Sequence, residues 1–272
     1  MISSGQNTGW RRLTGLGLLV SLVLVLCVPV RGWSGEVTVA AASDLNYVFK
    51  DLIGTFEKQT GHKVRLTLGS SGNFYAQITN GAPFDVYFSA DVAYPKKLEE
   101  AGLTVPGSLF PYAVGRLVVW VPSTSPLVGL TRAEEVVAHP SVARIAIANP
   151  KHAPYGRAAV AALQSFQLYD KVKDKLVLGE NVSQAAQFVQ TGNADVGVIA
   201  LSLALAPTVS RLGMFWEVPQ ASHPPLEQGA VLLNRAKDSE AAKAFVAFIK
   251  GAEARAVMKR FGFLLPGEVP AP

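Results

Sequence analysis

The sequence predicts an α/β protein in which short buried strands alternate with amphipathic helices. Apolar side chains recur at helical spacing from Leu45 to Phe56, and Gly61 ends that segment. Residues 117–121 and 196–199 are short apolar runs with the length and composition of buried strands. Regular alternation of these two patterns along a chain is typical of sheets covered by helices.

The predicted elements follow one another without an internal repeat or a low-complexity linker. Apolar runs or alternating apolar residues predict strands over 37–42, 64–68, 84–89, 117–121, 145–147, 196–199 and 229–233. Apolar residues at helical spacing predict helices over 45–60, 74–80, 96–101, 157–169 and 182–189, with one or two more over 239–260.

The first 34 residues predict a cleavable secretory signal peptide. Arg11 and Arg12 precede an apolar run over 13–30, and the small residues Gly32 and Ser34 follow it. A membrane anchor is the alternative, because a run of about 18 residues is nearly long enough to span a bilayer. The small residues favour cleavage, so the predicted location is the periplasm. The paired arginines leave open whether export follows the general or the twin-arginine route.

Removal of this leader changes the bulk properties of the chain. Cys27 is the only cysteine and lies in the leader, so the exported protein has no disulfide and no thiol nucleophile. Lipid attachment at Cys27 is not expected, because the bulky Leu26 precedes it where such a site needs a small residue. The formal charge falls from +5 to +2, because the leader holds three arginines and no acidic residue. A nucleic-acid partner is therefore not indicated.

Two of the predicted strands end in turns that carry serine and glycine. Ser43 follows the strand over 37–42, and Gly69, Ser70 and Ser71 follow the strand over 64–68. Each turn opens a helix, whose first N–H groups lack intrahelical acceptors and carry the positive end of the dipole. Such turns bind oxyanions without any Lys or Arg. The sequence therefore predicts a binding site for a small anion.

Six short segments form a recognisable set along the exported chain. They lie at 40–43, 69–72, 81–86 with 89–91, 149–156, 180–182 and 259–263. Together, and in this order, they resemble the periplasmic molybdate-binding proteins of ABC importers. The resemblance implies a two-lobed, type II periplasmic-binding-protein fold, with a mixed sheet flanked by helices in each lobe and the ligand in the cleft between them. It places residues 36–112 and 237–272 in the first lobe and 113–236 in the second.

The resemblance also implies ligand roles for four residues. Ser43 and Ser71 fall where the family supplies hydroxyl groups, and Tyr155 and Val182 fall where it supplies backbone N–H groups. Many family members add a tyrosine hydroxyl at a position that is Ala200 here. A water molecule, or one of the side chains nearest in sequence, would have to replace that donor; these are Ser202, Asn46 and Asn73.

The chemistry of such a cage limits its ligand. Donors alone suit an oxyanion that carries no proton, such as molybdate, tungstate or sulfate, whereas monohydrogen phosphate needs an acceptor for its own proton. A buried O–H group without an acceptor costs roughly 1–3 kcal/mol. Asp44 could supply that acceptor, although an acidic residue in a first helical turn also complements the dipole. A receptor for sulfate or phosphate is therefore the alternative among binding proteins.

The sequence also allows other roles for these two serines. Ser43 and Ser71 could be simple helix caps. An exported hydrolase that uses one of them as a nucleophile is the enzyme hypothesis, but the chain has no hydrolase motif and its histidines lack metal-ligand spacing. We expect instead a monomeric binding protein without a cofactor that delivers molybdate or tungstate to a membrane permease.

Overall fold

The computed structural model describes residues 34–268. The predicted signal peptide therefore lies outside the described residues, apart from Ser34 at its end. Within 34–268, each helix is too short or too polar to cross a membrane.

The described strands form two five-stranded mixed sheets. The first sheet has the order β2-β1-β3-β10-β4 and consists of β1 (Glu36–Ala42), β2 (Lys63–Gly69), β3 (Val86–Ser89), β4 (Phe110–Gly115) and β10 (Leu226–Leu232). The second has the order β7-β6-β8-β5-β9 and consists of β5 (Leu117–Pro122), β6 (Ile145–Ala148), β7 (Leu176–Gly179), β8 (Val196–Ala200) and β9 (Gly213–Glu217). In each sheet one strand, β10 in the first and β5 in the second, runs antiparallel to the other four.

Helices pack around both sheets and make each of them the centre of a lobe. They are α1 (Asn46–Thr60), α2 (Ser71–Thr79), α3 (Ala93–Glu100), α4 (Ala133–Ala138), α5 (Pro154–Ser165), α6 (Tyr169–Val172), α7 (Val182–Gln190), α8 (Leu201–Ala204), α9 (Glu240–Lys250) and α10 (Ala252–Arg260). Short 3-10 helices lie at Ser43–Leu45, Pro126–Gly129, Lys173–Lys175, Gln220–Ser222 and Asn234–Ala236. The predicted α/β architecture with two mixed sheets is confirmed.

Two chain crossings join the lobes, and they bear on the predicted boundaries. The first crossing lies between β4 and β5, close to the predicted boundary at residue 113. The second lies between β9 and β10, and β10 pairs with β3 and β4 of the first sheet. The range predicted for the second lobe, 113–236, includes β10, although β10 pairs with strands of the first sheet.

A cluster of aromatic side chains fixes the C-terminal helices on the first lobe. Phe49 of α1 meets Phe88 of β3 edge to face, with 5.0 Å between ring centroids. Phe245 of α9 packs against Phe56 of α1 at 5.1 Å. Such pairs contribute roughly 0.5–1.5 kcal/mol beyond the apolar area that they bury.

Several boundaries differ from the sequence prediction. The helix predicted over 157–169 begins at Pro154, which suits the first helical position because proline has no N–H group to leave unpaired, and it ends at Ser165. The segment over 239–260 contains two helices, with Gly251 between them. The sequence prediction does not include β4, β7, β9, α4, α6 and α8, all of them only four to six residues long. Elements of that length are recognised from the sequence only where their residues form an uninterrupted apolar run, as in β6 and β8.

Candidate functional site

A small cavity lies between the two lobes, where β1 and β2 end and α2, α5 and α7 begin. Its walls are formed by Ala42, Ser43, Asp44, Gly69, Ser70, Ser71 and Ala90 of the first lobe and by Ala153, Pro154, Tyr155, Asn181 and Val182 of the second. The space open to the centre of a water-sized sphere is about 10 Å³. This is roughly the room that one water molecule needs, far below the roughly 300–1,000 Å³ of pockets for drug-sized ligands.

The hydroxyl groups of Ser43 and Ser71 both accept a hydrogen bond from a backbone N–H. Ser43 Oγ accepts from the N–H of Ser183 at 3.2 Å, across the cleft, and Ser71 Oγ accepts from the N–H of Ala90 at 3.0 Å. A serine hydroxyl has one proton to donate and two lone pairs. Each hydroxyl therefore keeps its own proton available for a ligand in the cavity.

Neither of these serines is a helix cap. Ser70 occupies the cap position of α2, where its Oγ accepts from the N–H of Asn73 at 3.4 Å. Asn181 caps α7 in the same way, with its Oδ1 accepting from the N–H of Gln184 at 3.1 Å. The interpretation of Ser43 and Ser71 as simple helix caps is therefore wrong. Ala42 occupies the N-cap position of the 3-10 helix at Ser43–Leu45, and Ser70 occupies the N-cap position of α2.

The two residues predicted as backbone donors lie in the first turns of helices that face the cavity. Tyr155 is the second residue of α5 and Val182 is the first residue of α7. N–H groups in a first turn have no intrahelical acceptor, and the helix dipole places partial positive charge there. The structure thus brings all four predicted residues to one cavity, two from each lobe.

Helix N-termini, rather than cationic side chains, face the cavity. Among the described residues that line it, none is Lys, Arg or His. The positive ends of α2, α5 and α7 converge there instead. An oxyanion bound in this way is held by fixed dipoles and hydrogen bonds.

Ala200 and its three suggested replacements lie outside the cavity wall. Ala200 ends β8 and is fully buried. Ser202 Oγ donates to the carbonyl oxygen of Asp44 at 2.7 Å, and Asn73 Nδ2 donates to Glu180 at 3.4 Å. Asn46 lines a neighbouring, larger cleft of about 440 Å³. None of the three therefore replaces the family's tyrosine hydroxyl in this structure.

Asp44 is the one acidic side chain in the cavity wall, and it is almost completely buried. Its Oδ2 accepts from Nε2 of Gln228 at 2.7 Å, and the same Nε2 lies 3.3 Å from the Tyr155 hydroxyl. Burial raises the pKa of Asp44 to about 6, against the opposing effect of hydrogen bonds from Gln228, Tyr155 and the N–H groups of Asp44 and Leu45. Gln228 lies on β10, far from Asp44 in the chain, so sequence spacing alone does not reveal the hydrogen bond between them.

Direct contacts across the cleft close the cavity. The N–H of Gly72 donates to the carbonyl oxygen of His152 at 2.9 Å, and Ser70 Oγ and His152 Nδ1 are hydrogen-bonded at 2.8 Å. On another side of the rim, Arg157 of the second lobe forms an ion pair with Asp91 of the first. The described conformation is therefore a closed one, in which the rims of the two lobes touch.

The family of the chain follows from its sequence. Residues 37–264 match the family described as bacterial extracellular solute-binding protein. The chain belongs to this family of extracellular solute-binding proteins. It is accordingly a binding protein rather than an enzyme, as the sequence predicts, and the serine-hydrolase hypothesis is not supported.

Relatives within the family agree with the predicted resemblance. The molybdate-binding protein ModA of Azotobacter vinelandii is 45% identical over 231 residues, which cover 85% of this chain and 90% of the relative. ModA of Rhodobacter capsulatus is 41% identical over 246 residues, covering 90% and 94%. Both matches cover most of this chain and most of the relative.

Solved structures confirm the two-lobed fold of this solute-binding protein. The periplasmic molybdate-binding protein of Azotobacter vinelandii superposes with a TM-score of 0.80 at 38% identity, over 85% of this chain and 100% of that one. The sulfate-binding protein SubI of Mycobacterium tuberculosis superposes with a TM-score of 0.70 at 16% identity, covering 86% and 88%. The second likeness concerns the fold alone.

Proposed function

We propose that the protein captures molybdate, and also tungstate, outside the cytoplasmic membrane and delivers it to the permease of an ABC importer. The observation that carries this proposal is the closed cavity, in which hydroxyl and N–H donors from both lobes converge without a cationic side chain. The molybdate-binding relatives at 45% and 41% identity support the choice of ligand.

In this proposal Ser43 and Ser71 bind the anion through their hydroxyl groups, and Tyr155 and Val182 bind it through their backbone N–H groups. Hydrogen bonds to a charged acceptor are about twice as strong as neutral ones. Four such donors from two lobes stabilise the closed form only when one anion contacts all of them. Capture and lobe closure are thus a single event.

The closed lobes are the form that the permease would recognise. We propose the lobes that the sequence predicts, 36–112 with the C-terminal helices and the residues from 113 onward, with the first boundary moved to the end of β4 at Gly115, because β4 belongs to the first sheet. The pairing of β10 with β3 and β4 supports ending the second lobe before Leu226 rather than at residue 236. We further propose a monomer, exported by the cleavable leader at residues 1–34 to the periplasm.

Calorimetric titration of the exported protein with molybdate, tungstate, sulfate and phosphate tests the ligand. We expect molybdate and tungstate to bind far more tightly than the other two anions. A saturating ligand stabilises the fold by about 4 kcal/mol at a thousandfold excess over its Kd, so the thermal midpoint should follow the same order. Equal affinity for sulfate or phosphate would refute the assignment.

A further inference from the structure

One acceptor atom in the wall of the cavity, Oδ1 of Asp44, has no partner. Among the described residues, no donor meets Oδ1 of Asp44, or Oε1 of Gln228 behind the wall, at hydrogen-bond geometry, although both atoms are buried and the Tyr155 hydroxyl lies close enough to Asp44 to lower its pKa. Asp44 is 1% exposed and Gln228 is fully buried. Buried polar atoms in proteins are nearly always paired, so an unpaired carboxylate oxygen in the wall of a ligand cavity requires an explanation.

Among the described residues, no cationic side chain pairs with the Asp44 carboxyl group, and Arg157 of α5 pairs with Asp91 instead. The titratable groups that face it are the hydroxyls of Tyr155 on α5 and Tyr112 on β4, and both have pKa values raised well above the usual range, chiefly by burial. Helices α7 and α8, which pack on the 3-10 helix of Asp44, contain no charged residue. The charged residues of α1 and β2 are all at least partly exposed; they are Lys50, Asp51, Glu57, Lys58, Lys63 and Arg65.

An anion in this cavity and an ionised Asp44 would therefore repel each other. Like charges in a poorly hydrated site interact several times more strongly than in water. A protonated carboxyl group removes the repulsion and gains a donor, because a protonated Asp has one O–H group. The unpaired Oδ1 is the atom on which that proton would lie, since Oδ2 already accepts from Gln228.

We propose that Asp44 takes up one proton from solvent when the anion binds, and that its Oδ1–H then donates a hydrogen bond to the anion. This inference rests on the proposed function, because it concerns the same cavity and a fully ionised oxyanion such as molybdate. It gives Asp44 a role in specificity. The wall then presents donors alone, so an anion that brings its own proton finds no acceptor there.

Proton uptake during binding can be measured directly. Molybdate is titrated into the exported protein at pH 7.5 in buffers that differ in their heat of ionisation, and the slope of the binding enthalpy gives the number of protons. Burial raises the pKa of Asp44 to about 6 in the closed conformation without ligand, so Asp44 is mostly ionised at this pH, and we expect uptake close to one proton per anion. At pH 5 the uptake should fall toward zero, because Asp44 is then already protonated.

Two variants make the assignment specific to Asp44. For the parent, Kd should rise about tenfold for each pH unit between 7 and 8.5, as linkage to one proton requires. Asp44→Asn, which has a permanent amide donor, should show a flat Kd and no uptake. Asp51→Asn is the matched control, because Asp51 is an exposed carboxylate on α1 that pairs with Arg260, and it should keep both the slope and the uptake.

The possible results separate the two proposals. Tight molybdate binding by the parent without proton uptake overturns the role of Asp44 and leaves the proposed function intact. Uptake that persists in Asp44→Asn also overturns it. Absence of molybdate binding by the parent overturns the proposed function together with this inference. The parent measurement alone decides the question if Asp44→Asn does not fold.

Discussion

The backbone N–H of Gly72 donates to the carbonyl oxygen of His152 across the cleft, at 2.9 Å. Gly72 lies in the first turn of α2, and His152 lies just before α5. A Cβ atom at position 72 would come within 2.7 Å of that carbonyl oxygen and within 2.8 Å of the Tyr94 hydroxyl. The closed contact between the lobes therefore requires glycine at this position.

Gly72→Ala should hold the cleft partly open. We expect molybdate affinity to fall by about tenfold or more, which corresponds to at least about 1.4 kcal/mol, because the backbone of His152 must move away. Small-angle scattering should show less compaction on adding molybdate than for the parent. Gly54→Ala is the control, since a Cβ there meets nothing within 4 Å. Unchanged affinity in Gly72→Ala would show that closure does not depend on this contact.

Substitutions of Ser71 should distinguish a ligand from a structural serine. Ser71→Ala should weaken molybdate binding by roughly 1.5–3 kcal/mol through the loss of one charge-assisted hydrogen bond. Ser71→Asp should abolish binding, because a carboxylate would face the dianion. Ser239→Ala is the matched control: it removes the cap of α9 and should cost about 1 kcal/mol of stability with no effect in titration. Molybdate binding by Ser71→Asp at the parent's affinity would exclude Ser71 from the site.

Stability of the ligand-free protein should depend on pH through Asp44. Its pKa rises from 3.8 to about 6 on folding, so the folded state binds more protons than the unfolded state between these values. The contribution of Asp44 is fully present below pH 3.8 and is lost as pH rises through 6, by roughly 3 kcal/mol in all. Asp44→Asn should therefore be more stable than the parent at pH 7.5 by up to that amount.

Chemical denaturation of both proteins at pH 4, 5, 6 and 7.5 checks this difference. The two stability curves should diverge as pH rises from 4 to 6.5 and run parallel above it. A gap that stays constant over the whole range would mean that Asp44 has the same pKa in the folded and unfolded states.

Ala200→Tyr should act on the fold more than on the site. Ala200 is fully buried at the end of β8, outside the wall of the cavity, so a large side chain overpacks the core and should cost about 1–3 kcal/mol of stability. The affinity of the folded protein should change by less than about tenfold. Ala247→Tyr, at an exposed position of α9, is the control for bulk alone. A large gain in molybdate affinity by Ala200→Tyr would show instead that the parent site lacks a donor.

Sequence reasoning located much of the candidate site because helix starts leave local signals. Ser43 and Ser71 follow strands directly, and small and hydroxyl residues at such turns indicate N–H groups without acceptors. The resemblance to a family then added Tyr155 and Val182, whose backbone donors leave little trace in their side chains. All four residues line the same cavity.

Local sequence signals did not show which of the two adjacent serines, Ser70 or Ser71, caps α2. Ser70 and Ser71 are adjacent and chemically identical, yet Ser70 caps α2 and pairs with His152, whereas Ser71 accepts from Ala90. The difference depends on the direction of each side chain after the turn. That direction is set by packing against β3 and the second lobe.

By itself, the sequence determined the α/β class, the main strands and helices, and the turns that we propose bind an anion, because these depend on local periodicity and on the unpaired N–H groups of helix starts. Only the tertiary structure decided that Gln228 meets Asp44 and that Gly72 meets His152, because each pair joins segments far apart in the chain. The burial that raises the pKa of Asp44 arises in the same way, since segments far apart in the chain enclose its carboxyl group.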